Sequence, residues 1–148
     1  METTLQHQNQ IIVSPKSRPL ASPALAAAIL DCTSHTIADY IHDGTLPLSF
    51  DIKRPGKTRL CLRMATSNVL AFQSGLMPSS DLPKFFDTAF PRDKPLYSPP
   101  RLAWILHCED EHIYHLLATG ALIDAGDSNR HKVPRHSVIA FLEKRRLA

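Results

Sequence analysis

The chain has 148 residues, of which 43% are hydrophobic and 21% are charged, with a formal net charge of +3 at pH 7. These values are typical of a small globular protein. No run of about 18 apolar residues could cross a membrane, and residues 1–10 are too polar for a secretory signal. The three cysteines form no paired framework. We therefore expect a cytoplasmic protein with free thiols.

One segment of the chain recurs 76 residues further along. Arg18-Pro-Leu-Ala-Ser-Pro23 returns as Lys94-Pro-Leu-Tyr-Ser-Pro99, and the match continues without a gap to Leu46 and Leu122. Of 29 aligned positions 11 are identical, and all of these carry apolar, capping or turn residues. A fixed offset indicates two copies of one small unit. We expect a flexible tail at 1–17, domains at 18–75 and 94–148, and a linker at 76–93.

The first copy begins with the pattern of two helices joined by a turn. Ser22-Pro23 has the form of an N-cap followed by proline at the first helical position, so a helix should start there. After a turn at Asp31-Cys32, Thr33 caps a second helix with apolar residues at helical spacing. Gly44 should end this helix in the left-handed conformation that glycine tolerates best.

A basic hairpin and a third helix should complete the first copy. The sequence Lys53-Arg-Pro-Gly-Lys-Thr-Arg59, which we call the hairpin tip, predicts a turn, with Leu60 and Leu62 on the return strand. A short helix should follow near residues 67–73. The predicted order is therefore helix, turn, helix, hairpin and helix.

The second copy follows the same order with a shorter hairpin. Val138-Ile-Ala-Phe141 is the counterpart of Val69-Leu-Ala-Phe72 at an offset of 69, so the hairpin has lost seven residues. A surface loop tolerates such a length change. Three phenylalanines make the linker too apolar to remain in water, and we expect a short helix at 82–89 docked on one or both domains.

Two segments resemble the excisionase-type, MerR-like winged helix-turn-helix signature. They are Leu30-Asp-Cys-Thr-Ser-His-Thr-Ile-Ala-Asp-Tyr-Ile-His-Asp-Gly44 and Leu106-His-Cys-Glu-Asp-Glu-His-Ile-Tyr-His-Leu-Leu-Ala-Thr-Gly120. The resemblance implies a mainly α fold with small β-hairpin wings, arranged as tandem winged helix-turn-helix domains. It also implies sequence-specific binding of double-stranded DNA. The protein would be a transcriptional regulator or an excisionase-like recombination directionality factor of a mobile element, associated with the nucleoid.

Polar residues of the second helix and basic residues of the hairpin are the candidate DNA contacts in the first copy. The start of such a helix can enter the major groove, while basic side chains reach the backbone or the minor groove. The candidates are Thr33, Ser34, His35, Thr36, Asp39, His42, Lys53, Arg54, Lys57, Arg59 and Arg63. The alternative is that Thr33 only caps, the histidines are solvated and the hairpin is a charged loop.

The second copy departs from the family pattern at the start of its second helix. Glu109-Asp-Glu111 occupies the positions of Thr33, Ser34 and His35, and three acids favour the helix dipole but repel phosphate. The remaining candidate DNA contacts are His112, Tyr114, His115, Arg130, His131, Lys132 and Arg135. The alternative function is a protein-interaction adaptor or dimerisation module that uses this acidic helix to bind a second copy of the chain or a recombinase.

Metal binding and catalysis find little support in the sequence. Cys32-x-x-His35 and His112-x-x-His115 have spacings found in zinc sites, but neither copy supplies four ligands. No phosphate-cradling glycine loop or recognisable nucleophile motif occurs. We expect no metal, no cofactor, no small-molecule substrate and no enzymatic activity.

Overall fold

The structure is a computed structural model that describes residues 18–127 and 129–148, so the tail expected at 1–17 lies outside the described residues. The described residues form seven helices and five short strands. The helices are α1 (Pro23–Leu30), α2 (Ser34–His42), α3 (Thr66–Gln73), α4 (Leu82–Ala89), α5 (Pro99–Leu106), α6 (Asp110–Ala118) and α7 (Arg135–Lys144). The strands are β1 (Leu20–Ala21), β2 (Ser49–Asp51), β3 (Leu62–Ala65), β4 (Leu96–Tyr97) and β5 (Val133–Pro134). The protein is mainly helical with small antiparallel sheets, and no described helix is long and apolar enough to cross a membrane.

The first helix of each copy starts and ends with the same local geometry. The hydroxyls of Ser22 and Ser98 accept backbone N–H bonds at 3.2 and 3.3 Å, and a proline follows each cap. At the other end, Asp31 and His107 have φ angles of 55° and 59°, in the left-handed region. A left-handed residue at this position stops a helix and turns the chain. The sequence repeat is therefore also a repeat of helix boundaries.

Strand pairing extends the correspondence between the copies. In the first copy the strand order is β1-β3-β2, and all pairs are antiparallel. In the second copy β4 pairs with β5, and Leu96 opposite Pro134 matches Leu20 opposite Ala65 at offsets of 76 and 69. Within 94–127 and 129–148, no third strand joins this pair. At the place of β2, Ala125 N–H donates to Lys132 at 2.8 Å and Asp127 pairs with Arg130 in an isolated bridge, so the seven missing residues coincide with a shortened hairpin in place of a regular strand.

The connection between β2 and β3 is less regular than the sequence indicates. The turn lies at the expected place, with Gly56 at a φ of 86°. Leu60, expected on the return strand, lies outside the ladder and is 56% exposed. At the end of the ladder Ile52 N–H still donates to the Cys61 carbonyl at 2.9 Å, while the Cys61 N–H donates to the Asp51 carboxylate at 2.9 Å. The regular return strand begins only at Leu62.

The sheet of the first copy is buried on both faces. Ala21 and Met64 pack with α1 and α2, whereas Leu20, Phe50 and Ala65 belong to the core that includes the linker and the second copy. Successive residues of a strand point to opposite faces, so one short sheet serves both cores. The boundaries expected near residues 75 and 94 divide the elements along the chain, but they do not divide the cores, because the larger core contains residues of both copies and of the linker.

Helix α4 coincides with the helix expected in the linker and contacts both copies. Asp81 caps it by accepting the N–H of Lys84 at 3.1 Å. The Phe85 ring stacks on Phe50 of β2, with ring centroids 6.0 Å apart. Phe90, just after the helix, packs edge to face on Tyr97 of β4 at 5.7 Å. The linker is therefore part of the core.

The segment 145–148 pairs with the outer edge of β2, which the sequence did not indicate. Leu48 N–H donates to the Ala148 carbonyl at 2.8 Å, Leu147 N–H to Ser49 at 2.7 Å and Asp51 N–H to Arg145 at 2.9 Å. These bonds cover an otherwise open strand edge. The second copy thus contacts the sheet of the first both on its face and at its edge.

Two leucines at equivalent positions of the copies differ in burial. Leu20 and Leu96 occupy equivalent repeat positions, yet their exposed fractions are 0% and 49%. Leu20 lies beneath the second copy, and none of the described residues covers Leu96 in the same way. The two copies have the same order of helices, but different parts of the chain pack on their equivalent surfaces.

Candidate nucleic-acid interface

Helix α2 presents a polar stripe opposite its buried face. Ile37 and Ile41 are buried, and His35, Asp39 and His42 lie at helical spacing on the exposed side. His35 Nε2 is 3.8 Å from Asp39 Oδ2, with the two side chains 87% and 67% exposed. An exposed pair of this kind contributes little to stability. The stripe is therefore available to bind a partner, although it carries no Lys or Arg.

The first turn of α2 divides its hydroxyl groups between two roles. Thr33 Oγ1 accepts the Thr36 N–H at 3.1 Å and lies 3.0 Å from Thr36 Oγ1. Of the two roles considered for Thr33, the structure shows the capping role. Ser34 and His35 are exposed beside it. These two residues are the best placed of the first turn to meet a base edge.

The cations of the hairpin tip form two groups. Lys53 Nζ lies 3.3 Å from Asp51 Oδ2, and Arg54 Nη2 lies 3.8 Å from a carboxylate oxygen of Glu111. Their side chains are only 32% and 28% exposed. Lys57 and Arg59 are exposed and form no ion pair with the described residues. The second pair is therefore the stronger candidate for phosphate contacts.

Arg63 is used inside the protein. Its Nε donates to the carbonyl oxygens of Leu106 and His107 at 3.1 and 2.9 Å, and its Nη1 donates to Leu62 at 2.7 Å. The last carbonyls of a helix lack partners within it, and a cation there is favourable. Arg63 therefore connects β3 to the end of α5, and we remove it from the DNA contacts proposed for the exposed hairpin tip.

The start of α6 faces the first copy. Glu111 approaches Arg54, and His112 Nε2 lies 2.6 Å from the Ile52 carbonyl oxygen. Since a carbonyl only accepts, this nitrogen carries the hydrogen. Burial lowers the pKa of His112, which keeps its ring neutral at pH 7. The first turn of α6 thus lies against the first copy, and we also remove His112 from the proposed DNA contacts.

A small polar cluster occupies the other side of α6. Tyr114 is 42% exposed and packs edge to face on His131 at 5.5 Å. The hydrogen bond from His131, followed by bonds from the Gly126 and Lys132 N–H groups, lowers the pKa of Asp124 to about 2. The cluster joins the two ends of the short hairpin of the second copy. Tyr114 and His131 are therefore partly engaged with each other.

The remaining candidate DNA contacts of the second copy differ in how far other protein groups already bind their side chains. Arg135 Nε donates to the Phe90 carbonyl at 2.6 Å and its Nη2 to Asp87 at 3.2 Å, so this side chain ties α7 to α4. His115 and Arg130 are exposed, and Lys132 is half-buried. These three remain candidates for contacts outside a groove-reading helix.

A pocket of about 360 Å³ lies at the seam between the copies, and no sequence pattern predicted it. Three segments line this pocket: Arg18 before β1, the hairpin residues Arg54, Cys61 and Arg63, and the residues His107, Cys108, Glu109 and His112 around the start of α6. These residues come from three distant segments, so no spacing rule could group them. Burial raises the pKa of Cys108 to about 12, and its thiol therefore stays protonated and unreactive at neutral pH.

Comparisons of the chain with known protein families, with curated proteins and with solved structures find no match. The functional argument therefore depends on the geometry and on the sequence pattern. The described residues contain no group of three or more His, Cys, Asp or Glu side chains placed to hold a metal ion. What the surface offers is hydrogen bonding from the α2 stripe and positive charge from the hairpin tip.

Proposed function

We propose that this protein binds double-stranded DNA sequence-specifically, with the first copy acting as a winged helix-turn-helix unit. The observation that carries the proposal is the exposed polar face of α2 in the same small unit as an exposed basic tip. Ser34 and His35 at the start of α2 would contact base edges in the major groove. Lys57 and Arg59 would contact phosphate on the flanking backbone.

The second copy has a supporting role in this proposal. Because α6 begins against Arg54 and Ile52, it does not enter a groove as α2 does. The second copy instead holds the sheet from which the hairpin tip extends, through Arg63 and the segment 145–148. A rigid support lowers the entropic cost of binding. The protein would act as a transcriptional regulator or as an excisionase-like recombination directionality factor of a mobile element.

A salt titration tests the phosphate contacts. Affinity for a labelled duplex is measured by fluorescence anisotropy between about 50 and 200 mM salt. Removal of one phosphate contact lowers the log–log slope by about 0.9, so the double variant Lys57→Ala/Arg59→Ala should reduce it by about 1.8 units. The matched control is Lys84→Ala/Arg92→Ala, which removes two exposed cations of the linker. Equal slopes for the two double variants would exclude the hairpin tip from the interface.

Base reading needs a separate measurement. Duplexes selected from a random pool with the natural chain define a preferred sequence, and Ser34→Ala/His35→Ala should then reduce the preference by about 1–3 kcal/mol for each good base interaction that is removed. Binding to unrelated duplexes should change little, because neither side chain is permanently charged. If no preferred sequence emerges from the selection, the protein is not a sequence-specific reader.

One observation favours the second candidate function, a protein-interaction adaptor. Leu76 and Met77 are 65% and 89% exposed and border an apolar groove after α3. Exposed apolar groups of this kind are common at protein interfaces. The acidic residues of α6, by contrast, face the protein's own hairpin tip in part. Self-association without any duplex binding would support the adaptor over the DNA-binding function.

A further inference from the structure

The seam pocket has an excess of positive charge. Arg18 before β1, Arg54 in the hairpin tip and Arg63 on β3 all line it, and Glu109 is the one carboxylate among its lining residues. Outside the lining, Glu111 is 3.8 Å from Arg54 and 71% exposed, so it compensates weakly, and Asp110 is close enough to Cys108 to contribute to its raised pKa. The volume of about 360 Å³ lies in the lower part of the range for small-ligand sites, about 300–1,000 Å³.

Arg18 has a buried donor with no acceptor. Its Nε is buried and forms no hydrogen bond with any described residue. Its guanidinium carbon lies 5.6 Å from the centre of the Trp104 ring, which holds the group in place. Burial, and next the charge of Arg63, lower the pKa of Arg18. A buried donor beside a like charge is unfavourable, and an anion in the pocket would relieve both effects.

The other side chains of the pocket that carry nitrogen donors are positioned by protein contacts. Arg63 uses Nε and Nη1 on carbonyl oxygens, which leaves Nη2 for a ligand. His107 Nδ1 lies 3.3 Å from the Leu20 carbonyl, and burial together with Arg18 lowers the pKa of this histidine. Its ring is therefore neutral at pH 7. The guanidinium groups carry the positive charge of the site.

We propose that the seam pocket binds an oxyanion of the phosphate class. Guanidinium groups match phosphate oxygens with paired, charge-assisted hydrogen bonds, which makes arginine the favoured residue for such ligands. The phosphate could belong to a free small molecule or to the backbone of a duplex that crosses the seam. The site does not depend on base reading by α2, because Arg18 and Arg63 lie outside that surface.

The first test follows the Arg18 donor directly in the full-length natural chain. Inorganic phosphate replaces chloride at constant ionic strength, and the arginine Nε–H signals are followed by ¹H–¹⁵N NMR. The Arg18 signal should shift and saturate, because its Nε gains an acceptor. The Arg101 signal is the internal reference, since Arg101 also lies over Trp104, at 4.9 Å, but is absent from the pocket lining.

Matched variants then measure the contribution of Arg18 to affinity. Loss of one charge-assisted hydrogen bond should weaken phosphate binding by about tenfold in Arg18→Gln. Arg101→Gln should leave it within about twofold, because it removes a cation from the same ring and not from the pocket. Melting curves show whether both variants are folded, and the NMR titration of the natural chain stands regardless of that result.

A duplex titration distinguishes the two sources of phosphate. If inorganic phosphate weakens duplex binding by the natural chain but not by Arg18→Gln, the pocket takes a backbone phosphate. If phosphate binds in the pocket and duplex affinity is unchanged, the ligand is a free anion. An Arg18 signal that does not shift, with equal phosphate affinity in the two variants, would overturn the proposal. That result would leave the Lys57 and Arg59 salt slope unaffected, so the two proposals fail separately.

Discussion

Replacement of Arg63 by methionine tests the connection between the two copies. The arginine makes two Nε contacts at 3.1 and 2.9 Å and one Nη1 contact at 2.7 Å, all to carbonyl oxygens. Methionine can pack in the same space but cannot donate, so the carbonyls at the end of α5 lose their donor. The two Nε contacts share one hydrogen, which leaves about two effective bonds of roughly 1.5 kcal/mol each at a half-buried site. We expect Arg63→Met to lower the free energy of unfolding by about 2–3 kcal/mol.

Urea unfolding at pH 7, followed by Trp104 fluorescence, measures this change. The matched control is Arg59→Met, which removes an exposed charge from the same hairpin and should stay within about 0.5 kcal/mol of the natural chain. The melting temperature of Arg63→Met should fall by roughly 5–10 °C. If both variants have the same free energy of unfolding as the natural chain, Arg63 does not stabilise the contact between the two copies. Two separate transitions in the natural chain would contradict the shared core.

Two further substitutions test the linker and the loop of the second copy. Phe85→Ala removes a ring stacked on Phe50 and should lower the free energy of unfolding in urea by about 3–5 kcal/mol. If it lowers that free energy no more than the exposed control Lys84→Ala does, α4 is not docked on the core. Asp124 has its pKa lowered from 3.8 to about 2, first by the hydrogen bond from His131, so it stabilises the fold above its ordinary pKa and loses that effect as the pH falls towards 2. Asp124→Asn should therefore lower the melting temperature at pH 7 but not near pH 2, and an equal drop at both values would refute the linkage.

Local signals predicted most of the elements. Ser22-Pro23 and Gly44 bound the first two helices because capping and left-handed turns depend on adjacent residues alone. Three closely spaced phenylalanines indicated a docked helix at the position of α4, because so much apolar surface is unstable in water. The repeat supplied the order of the elements in the second copy. These features need no knowledge of which element packs on which.

The contacts between the copies could not be predicted from the sequence. Arg63 lies in a basic segment for which the sequence predicts DNA contacts, and only the approach of α5 gives it carbonyl partners. His112 lies near the start of a helix for which the sequence predicts DNA contacts, and its Nε2 is hydrogen-bonded to the Ile52 carbonyl because α6 lies against the hairpin. The sequence of a basic segment does not distinguish a side chain that contacts DNA from one that forms hydrogen bonds inside the protein. The candidate interface on α2 was predictable because its buried and exposed faces follow helical spacing.

The unequal burial of Leu20 and Leu96 shows how the two copies are arranged on each other. The first copy offers a sheet face and the second copy covers it, so the contact is head to tail. A head-to-tail contact can in principle repeat without limit and build a filament. In the second copy the counterpart of β2 is reduced to a short hairpin, with the Ala125 N–H bonded to the Lys132 carbonyl and an isolated bridge between Asp127 and Arg130. The shorter hairpin therefore leaves the second copy with a smaller sheet than the one the first copy offers, and the pair is asymmetric.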